Sequence, residues 1–147
     1  MNKVNSQMHF VQGAITSDQI AETIASFQSK KNLGAHSSFL GQVRADEVDG
    51  KVVSGIEYSA YEDMAIKAFE EILLAASEKF KLSSCHVYHS LGMVKTGELC
   101  LFVFTSSAHR KIAIASCEYV VEEIKAKVPI FGKEIFEDKT HQWKVNQ

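Results

Sequence analysis

Apolar residues recur along this 147-residue chain at two spacings, and the switch between them marks out the elements. A short strand is expected around Met8 to Ile15, entered from a loose, mostly polar end. Thr16 and Gln19 stand at capping-box spacing, and Ile20, Ile24 and Phe27 follow at helical intervals, which predicts a helix over 17–30. From Gly34 to Arg44 the chain alternates, with Ala35, Ser37, Phe39, Gly41 and Val43 on one face of a predicted strand. Asp49-Gly50 favours a hairpin turn and Val52 to Tyr58 the returning strand. Glu62 to Phe80 is the clearest amphipathic helix, striped by Ala65, Phe69, Ile72, Ala76 and Phe80.

Cys85 to His89 and Leu99 to Thr105 read as two further strands around the turn-like Lys95-Thr96-Gly97-Glu98. Ser106 or Ser107 can cap a long helix over roughly 108–127, buried along Ala113, Cys117, Val120 and Ile124. Pro129 disfavours helical geometry at Val128 and should end that helix. The stretch 130–145 is expected to be a loop with a short strand. Hairpins interleaved with unequal helices indicate α+β: a mostly antiparallel sheet with two long helices and one shorter. No internal repeat or low-complexity tract appears, so one domain over 1–147 is the simplest account.

Composition narrows the function classes. Sixteen basic against 18 acidic side chains give a net charge of -2, which argues against a surface coated for nucleic acid or anionic lipid but leaves room for a local basic pocket. The three cysteines, Cys85, Cys100 and Cys117, form no Cys-x-x-Cys pair and sit among apolar neighbours, so buried free thiols in a reducing compartment are the expectation. The first residues lack the apolar core of a signal peptide, and no apolar run approaches the ~20 residues that span a bilayer. A soluble, cytoplasmic protein follows as the expectation.

Four places could carry chemistry. Arg44 ends a strand beside a polar loop, where its planar fork can meet a phosphate or carboxylate; a merely solvated arginine is the plainer reading. Ser106-Ser107-Ala108-His109-Arg110 opens the long helix. Cations there oppose the helix dipole, a conflict that an anionic ligand would relieve, although simple serine capping also accounts for the sequence. Lys125-Ala126-Lys127 precedes the proline and Lys133 follows it. A partly desolvated or cation-crowded lysine can act as acid, base or nucleophile, whereas lysines at a helix C-terminus commonly just neutralise it. His86 and His89 lie three apart on a strand and so point to opposite faces, which gives no ground for a shared metal ion. No metal and no resident cofactor are expected.

The order of these segments is more specific than any of them alone. Gly34-Ala35…Phe39-Leu40-Gly41-Gln42-Val43-Arg44 and Ile56-Glu57-Tyr58-Ser59-Ala60-Tyr61-Glu62-Asp63-Met64-Ala65 resemble the large, catalytic subunits of molybdopterin synthase, the MoaE family. So do His89-Ser90-Leu91-Gly92, Gly97-Glu98, Ser107-Ala108-His109-Arg110, Ile124-Lys125, Val128-Pro129-Ile130-Phe131, Glu134 and Trp143, so that the resemblance covers about 34–143.

The resemblance implies an α/β-hammerhead-like fold and a homodimer within a heterotetramer. It also implies a small ubiquitin-like sulfur-carrier subunit whose Gly-Gly thiocarboxylate tail delivers sulfur to cyclic pyranopterin monophosphate, two transfers making the dithiolene of molybdopterin. By the same resemblance Gln42, Val43, Arg44, His109, Arg110, Gly132 and Glu134 fall among substrate contacts, and Lys125 is catalytic. One departure stands out. The family usually reads Pro-hydrophobic-Trp-Lys-basic-Glu, and here Gly132 takes the place of its first, functionally important lysine; Lys133 is expected to supply the amine instead, the competing reading being an impaired paralogue.

His109 and Lys125 are 16 residues apart, about 24 Å along an unbroken helix. If both serve one site, one protomer must lend His109 and Arg110 to the other's Lys125. Two other readings stay open: an acyl-thioester hydrolase, which lacks an obvious carboxylate on the central helix, and a non-catalytic module that binds a ubiquitin-like tail. Which carrier is used, and the order and rate of the two transfers, are not written in the sequence.

Overall fold

A computed structural model describes residues 5–145. In chain order the elements are β1 (Asn5–Gln12), α1 (Ser17–Ser26), β2 (Ala35–Gln42), β3 (Glu47–Val48), β4 (Lys51–Ala60), α2 (Glu62–Lys79), β5 (Ser84–Lys95), β6 (Leu99–Ser107), α3 (Arg110–Lys127), β7 (Ile130–Phe136) and β8 (His141–Trp143). The class is α+β, as the alternation of hairpins and helices predicts. The strands run β2-β6-β5-β4-β7-β8, with β1 added to β5 and β3 to β4, and every pairing except β1 with β5 is antiparallel.

Strand β5 joins the two halves of the sheet. Ser84 to His89 pair with β6, whereas Gly92 to Lys95 pair with β4. The chain changes partners around Gly92, whose φ of +80° suits a residue without a Cβ. The run Leu101-Phe102-Val103-Phe104 on β6 is buried on both faces. Leu101 and Val103 join Phe69, Ile72, Cys117 and Val120 in the larger core under α2 and α3. Phe102 and Phe104 join Ile15 and Phe27, at the end of α1, in a smaller cluster on the opposite face. An uninterrupted apolar strand is what a sheet covered on both sides requires.

Several elements differ from the sequence reading, each for a local reason. Helix α1 stops at Ser26, although the Thr16–Gln19 capping box forms in both directions. Strand β5 runs six residues past His89 because β4 is there to pair with it. Beyond Pro129 the chain forms a seven-residue strand and a return strand rather than a loop with one short strand, stabilised by pairing with β4 that alternation alone could not reveal. Ser106 and Ser107 do not cap α3. They are buried in β6, where the hydroxyls of Ser84 and Ser106 bond each other and Ser107 Oγ donates to the Lys81 carbonyl at 2.9 Å. His109 is the N-cap, without a capping side chain. No helix among the described residues is long and apolar enough to cross a membrane.

Helix α3 lies along β2 and β6. Buried Thr105 donates through Oγ1 to the Ala113 carbonyl at 2.8 Å and pins its first turns to the sheet. Gly34 permits the close approach at this end, since a Cβ there would collide with the Ala108 carbonyl. A Gly34→Ala protein should therefore lose about 1–3 kcal/mol in urea unfolding, a cost typical of overpacking; unchanged stability would show that the β6–α3 turn yields.

Candidate functional site

The site is built where α3 ends. Val128 takes extended geometry (φ -87°, ψ 127°), as a residue before proline prefers, and the chain turns from α3 into β7. Strand β8 then returns beside β7, and the Lys144 N–H donates to the Gly132 carbonyl at 2.7 Å. Between the helix end and this hairpin lies a cleft of about 380 Å³ whose lining includes Lys125, Pro129, Phe131, Gly132, Trp143 and Lys144. A narrow well of about 30 Å³, sharing Lys125, Gly132 and Lys144, reaches inward to Tyr58 and His89.

The pleat selects which side chains face the cleft. In the β4–β7 register Tyr58 lies opposite Gly132 and Ile56 opposite Glu134, while Glu57 lies opposite Lys133. Successive side chains point to opposite faces, so Tyr58 and Gly132 share the side that holds the well, with Glu134 on that same face of β7, while Phe131 and Trp143 border the cleft from the opposite face. Lys133 projects the other way. Its Nζ pairs with Glu57 at 3.4 Å and sits 6.0 Å from the centre of the Trp143 ring. Lys133, expected to supply the amine, lines neither the cleft nor the well, although the Trp143 ring beside it borders the cleft.

Electrostatics in the well follow from burial and crowding. Burial lowers the Lys125 pKa, and the charge of Lys144 lowers it further. His89 is 4% exposed and packs edge-on against Tyr58 with ring centres 5.1 Å apart. Its pKa is pushed down to about 4 by burial, with the ammonium groups of Lys125 and Lys144 adding to the effect. Its Nδ1 lies 2.8 Å from the Ser90 carbonyl, which can only accept, so the neutral ring carries its proton there and leaves a lone pair on Nε2. Burial, and then neighbouring Cys100, raise the Tyr58 pKa, so the phenol remains a proton donor. Sequence reasoning gave Lys144 no role, and gave Tyr58 and His89 none beyond the family resemblance and, for His89, a discarded metal pair. Only the folded chain puts the three beside Lys125.

The other expected positions divide. Cys100 Sγ donates to the Gly41 carbonyl at 3.5 Å and is felt by both Tyr58 and Lys125, so this end of β2 lies near the well. Gln42 and Arg44 next to it are exposed, and Arg44 pairs with Asp46 at 3.3 Å. Val43 is different. Its side chain is 2% exposed in the main core, its N–H donates to the Glu98 carbonyl and its own carbonyl accepts from the Gly97 N–H. Glu134 accepts from Gln142 Nε2 at 3.2 Å. His109 and Arg110 are exposed at the opposite end of α3, which runs unbroken to Lys127. All three cysteines are free and buried, and burial raises the pKa of Cys85 and Cys117.

Comparison with known proteins adds a family. The model of the MoaE protein family matches residues 14–127. The molybdopterin synthase catalytic subunit of Bacillus subtilis is 38% identical over 122 residues, 83% of this chain and 76% of that protein. The crystal structure of molybdopterin synthase from Staphylococcus aureus superposes with a TM-score of 0.79 at 32% identity, over 92% of this chain and 95% of that one. A chain in a complex of subunits 1 and 2 of molybdopterin-converting factor from Helicobacter pylori shares the fold, with a TM-score of 0.78 at 23% identity over 95% and 91% of the two chains.

The neutrality of His89 has a measurable consequence. Between the ordinary histidine value of 6.5 and about 4, the unfolded chain binds a proton here that the folded chain refuses. The stabilisation is therefore complete above pH 6.5 and is lost as the pH falls through that window, at most about 3 kcal/mol for this one group. Urea unfolding should show a steeper loss of stability from pH 6.5 to 4 in the natural protein than in His89→Gln. Parallel profiles would remove His89 from the acid limb.

Proposed function

The chain belongs to the MoaE family, whose matched relative in Bacillus subtilis is named a molybdopterin synthase catalytic subunit, and we propose that it works as that subunit. In this reading it is a cytoplasmic sulfurtransferase. A small ubiquitin-like carrier presents its Gly-Gly thiocarboxylate, and sulfur passes to cyclic pyranopterin monophosphate, two transfers forming the dithiolene. The observation that carries the reading is the cleft at the end of α3, where half-buried Lys125 stands beside a second lysine, a neutral histidine and a protonated phenol.

That chemistry suits the reaction. A thiocarboxylate is already anionic at neutral pH, so the site has no need of a strong base; it must hold anions together and manage protons as sulfur replaces oxygen. Two ammonium groups favour the anionic tail, and desolvation strengthens their effect on charge developing during transfer. Because its pKa is lowered, Lys125 can give up and regain a proton more readily than a surface lysine. Phe131 and Trp143 are exposed at the cleft, and Tyr61 packs against Phe131 with ring centres 5.5 Å apart, giving an apolar edge against which a carrier tail can dock.

His109 and Arg110 lie too far from Lys125 to contact the same small substrate within one chain: 16 residues of helical rise amount to about 24 Å. The site is then completed across a homodimer, one protomer's His109 and Arg110 meeting its partner's cleft and clamping the substrate phosphate together with Arg44.

Two experiments test this. Reconstitution with a thiocarboxylated carrier and the cyclic pterin should give dithiolene product, and Lys125→Ala should lower kcat by roughly 10²–10⁴. Carrier binding without conversion by the natural protein would favour the scaffold reading. Mixing inactive His109→Ala and Lys125→Ala chains should restore about a quarter of full activity, since half the random dimers carry one intact site. No recovery in verified mixed dimers would reject the shared site.

A further inference from the structure

We propose that Lys144 is the second anion-binding catalytic lysine of this site, contacting the carrier's terminal thiocarboxylate beside Lys125 in the space that Gly132 leaves open. The assignment deepens the synthase reading and rests on it.

Three observations support it. Lys144 lines both the cleft and the inner well, the two compartments that Lys125 also lines. It is held there by the backbone, its N–H bonded to the Gly132 carbonyl at 2.7 Å, so its place is set by the register of the β7–β8 hairpin. Its charge is felt inside the well, by Lys125 and by His89.

The glycine explains why the amine arrives from this strand. A Cβ built on Gly132 would lie 3.0 Å from Ile56 Cγ2 and 3.3 Å from Tyr58 Cε1, so a side chain rooted there would crowd the wall of the well. Lys133 cannot substitute, because the pleat turns it to Glu57 on the other face. Lys144 comes from the neighbouring strand end and reaches the cleft without crossing that wall. Two ammonium groups held close together repel each other, and a carboxylate-type anion between them converts that repulsion into binding.

The test uses the full chain with its carrier, as a panel of Lys144→Gln, Lys144→Arg and Lys133→Gln, folding being checked by circular dichroism. Sulfur transfer by Lys144→Gln should fall about 10²-fold in kcat, with partial recovery in Lys144→Arg, which keeps the charge. The unsulfurated carrier, ending in a Gly-Gly carboxylate, should bind Lys144→Gln about tenfold more weakly at low salt, and less differently at high salt. A pH profile separates catalysis from mere architecture. Lys125 is faced by Lys144, which lowers its pKa, and by Cys100 and Glu122, which raise it. Removing the Lys144 charge should move the Lys125 limb of kcat/KM to higher pH.

Full activity in Lys144→Gln with an unmoved profile, while the natural protein is active, overturns the Lys144 assignment alone. So does loss of activity confined to Lys133→Gln. No sulfur transfer by the natural protein overturns the synthase reading and this assignment with it.

Discussion

The site depends on the register between β4 and β7. With Tyr58 opposite Gly132 and Glu57 opposite Lys133, the pleat divides neighbouring residues between the inner well and the opposite face of the sheet. A one-residue slip of β7 would turn Lys133 to the side of the well and Gly132 away from it, because side chains alternate strictly along a strand. Burial of Phe136 and the packing of Ile130 against the main core oppose such a slip, since it would turn both outward. The stability of the hydrophobic core and the chemistry of the cleft are thus set by the same pairing.

Helix α3 imposes the second constraint. Thr105 and the close contact at Gly34 fix its start, and Val128 and Pro129 fix its end, so its two cationic ends stand a whole helix apart. The N-terminal cations oppose the helix dipole and the C-terminal lysines complement it. Lys127 uses that freedom in an ordinary surface pair with Glu123 at 3.1 Å, whereas Lys125 turns inward beside Lys144. One helix therefore presents two unlike cationic ends, which the proposed dimer would bring to one substrate.

Inside the well, burial and charge act in the same direction on the basic groups. Desolvation disfavours the charged forms of His89 and Lys125, and the neighbouring ammonium group reinforces this. The result is a neutral imidazole, a lysine with a lowered pKa and a protonated phenol within one small space: groups able to donate, accept and exchange protons without a strong base.

The sequence by itself determined the class, the three helices, the Thr16–Gln19 box and the buried stripes of α2 and α3, because these follow from local spacing and from which side chains avoid water. The likeness around Ser107-Ala108-His109-Arg110 and Ile124-Lys125 was also legible, as order along the chain needs no coordinates. The last strands were not legible, since β7 is held by β4, more than 70 residues earlier, and short mixed segments do not announce a distant partner. Nor was the burial of Ser106 and Ser107, which read as caps until β5 and β6 enclosed them. The assignment of the lysines belonged to tertiary structure alone: Lys133 follows Gly132 in sequence, yet Lys144 is the one beside it in the cleft, because a hairpin brings residues twelve apart together while the pleat sends adjacent ones to opposite sides.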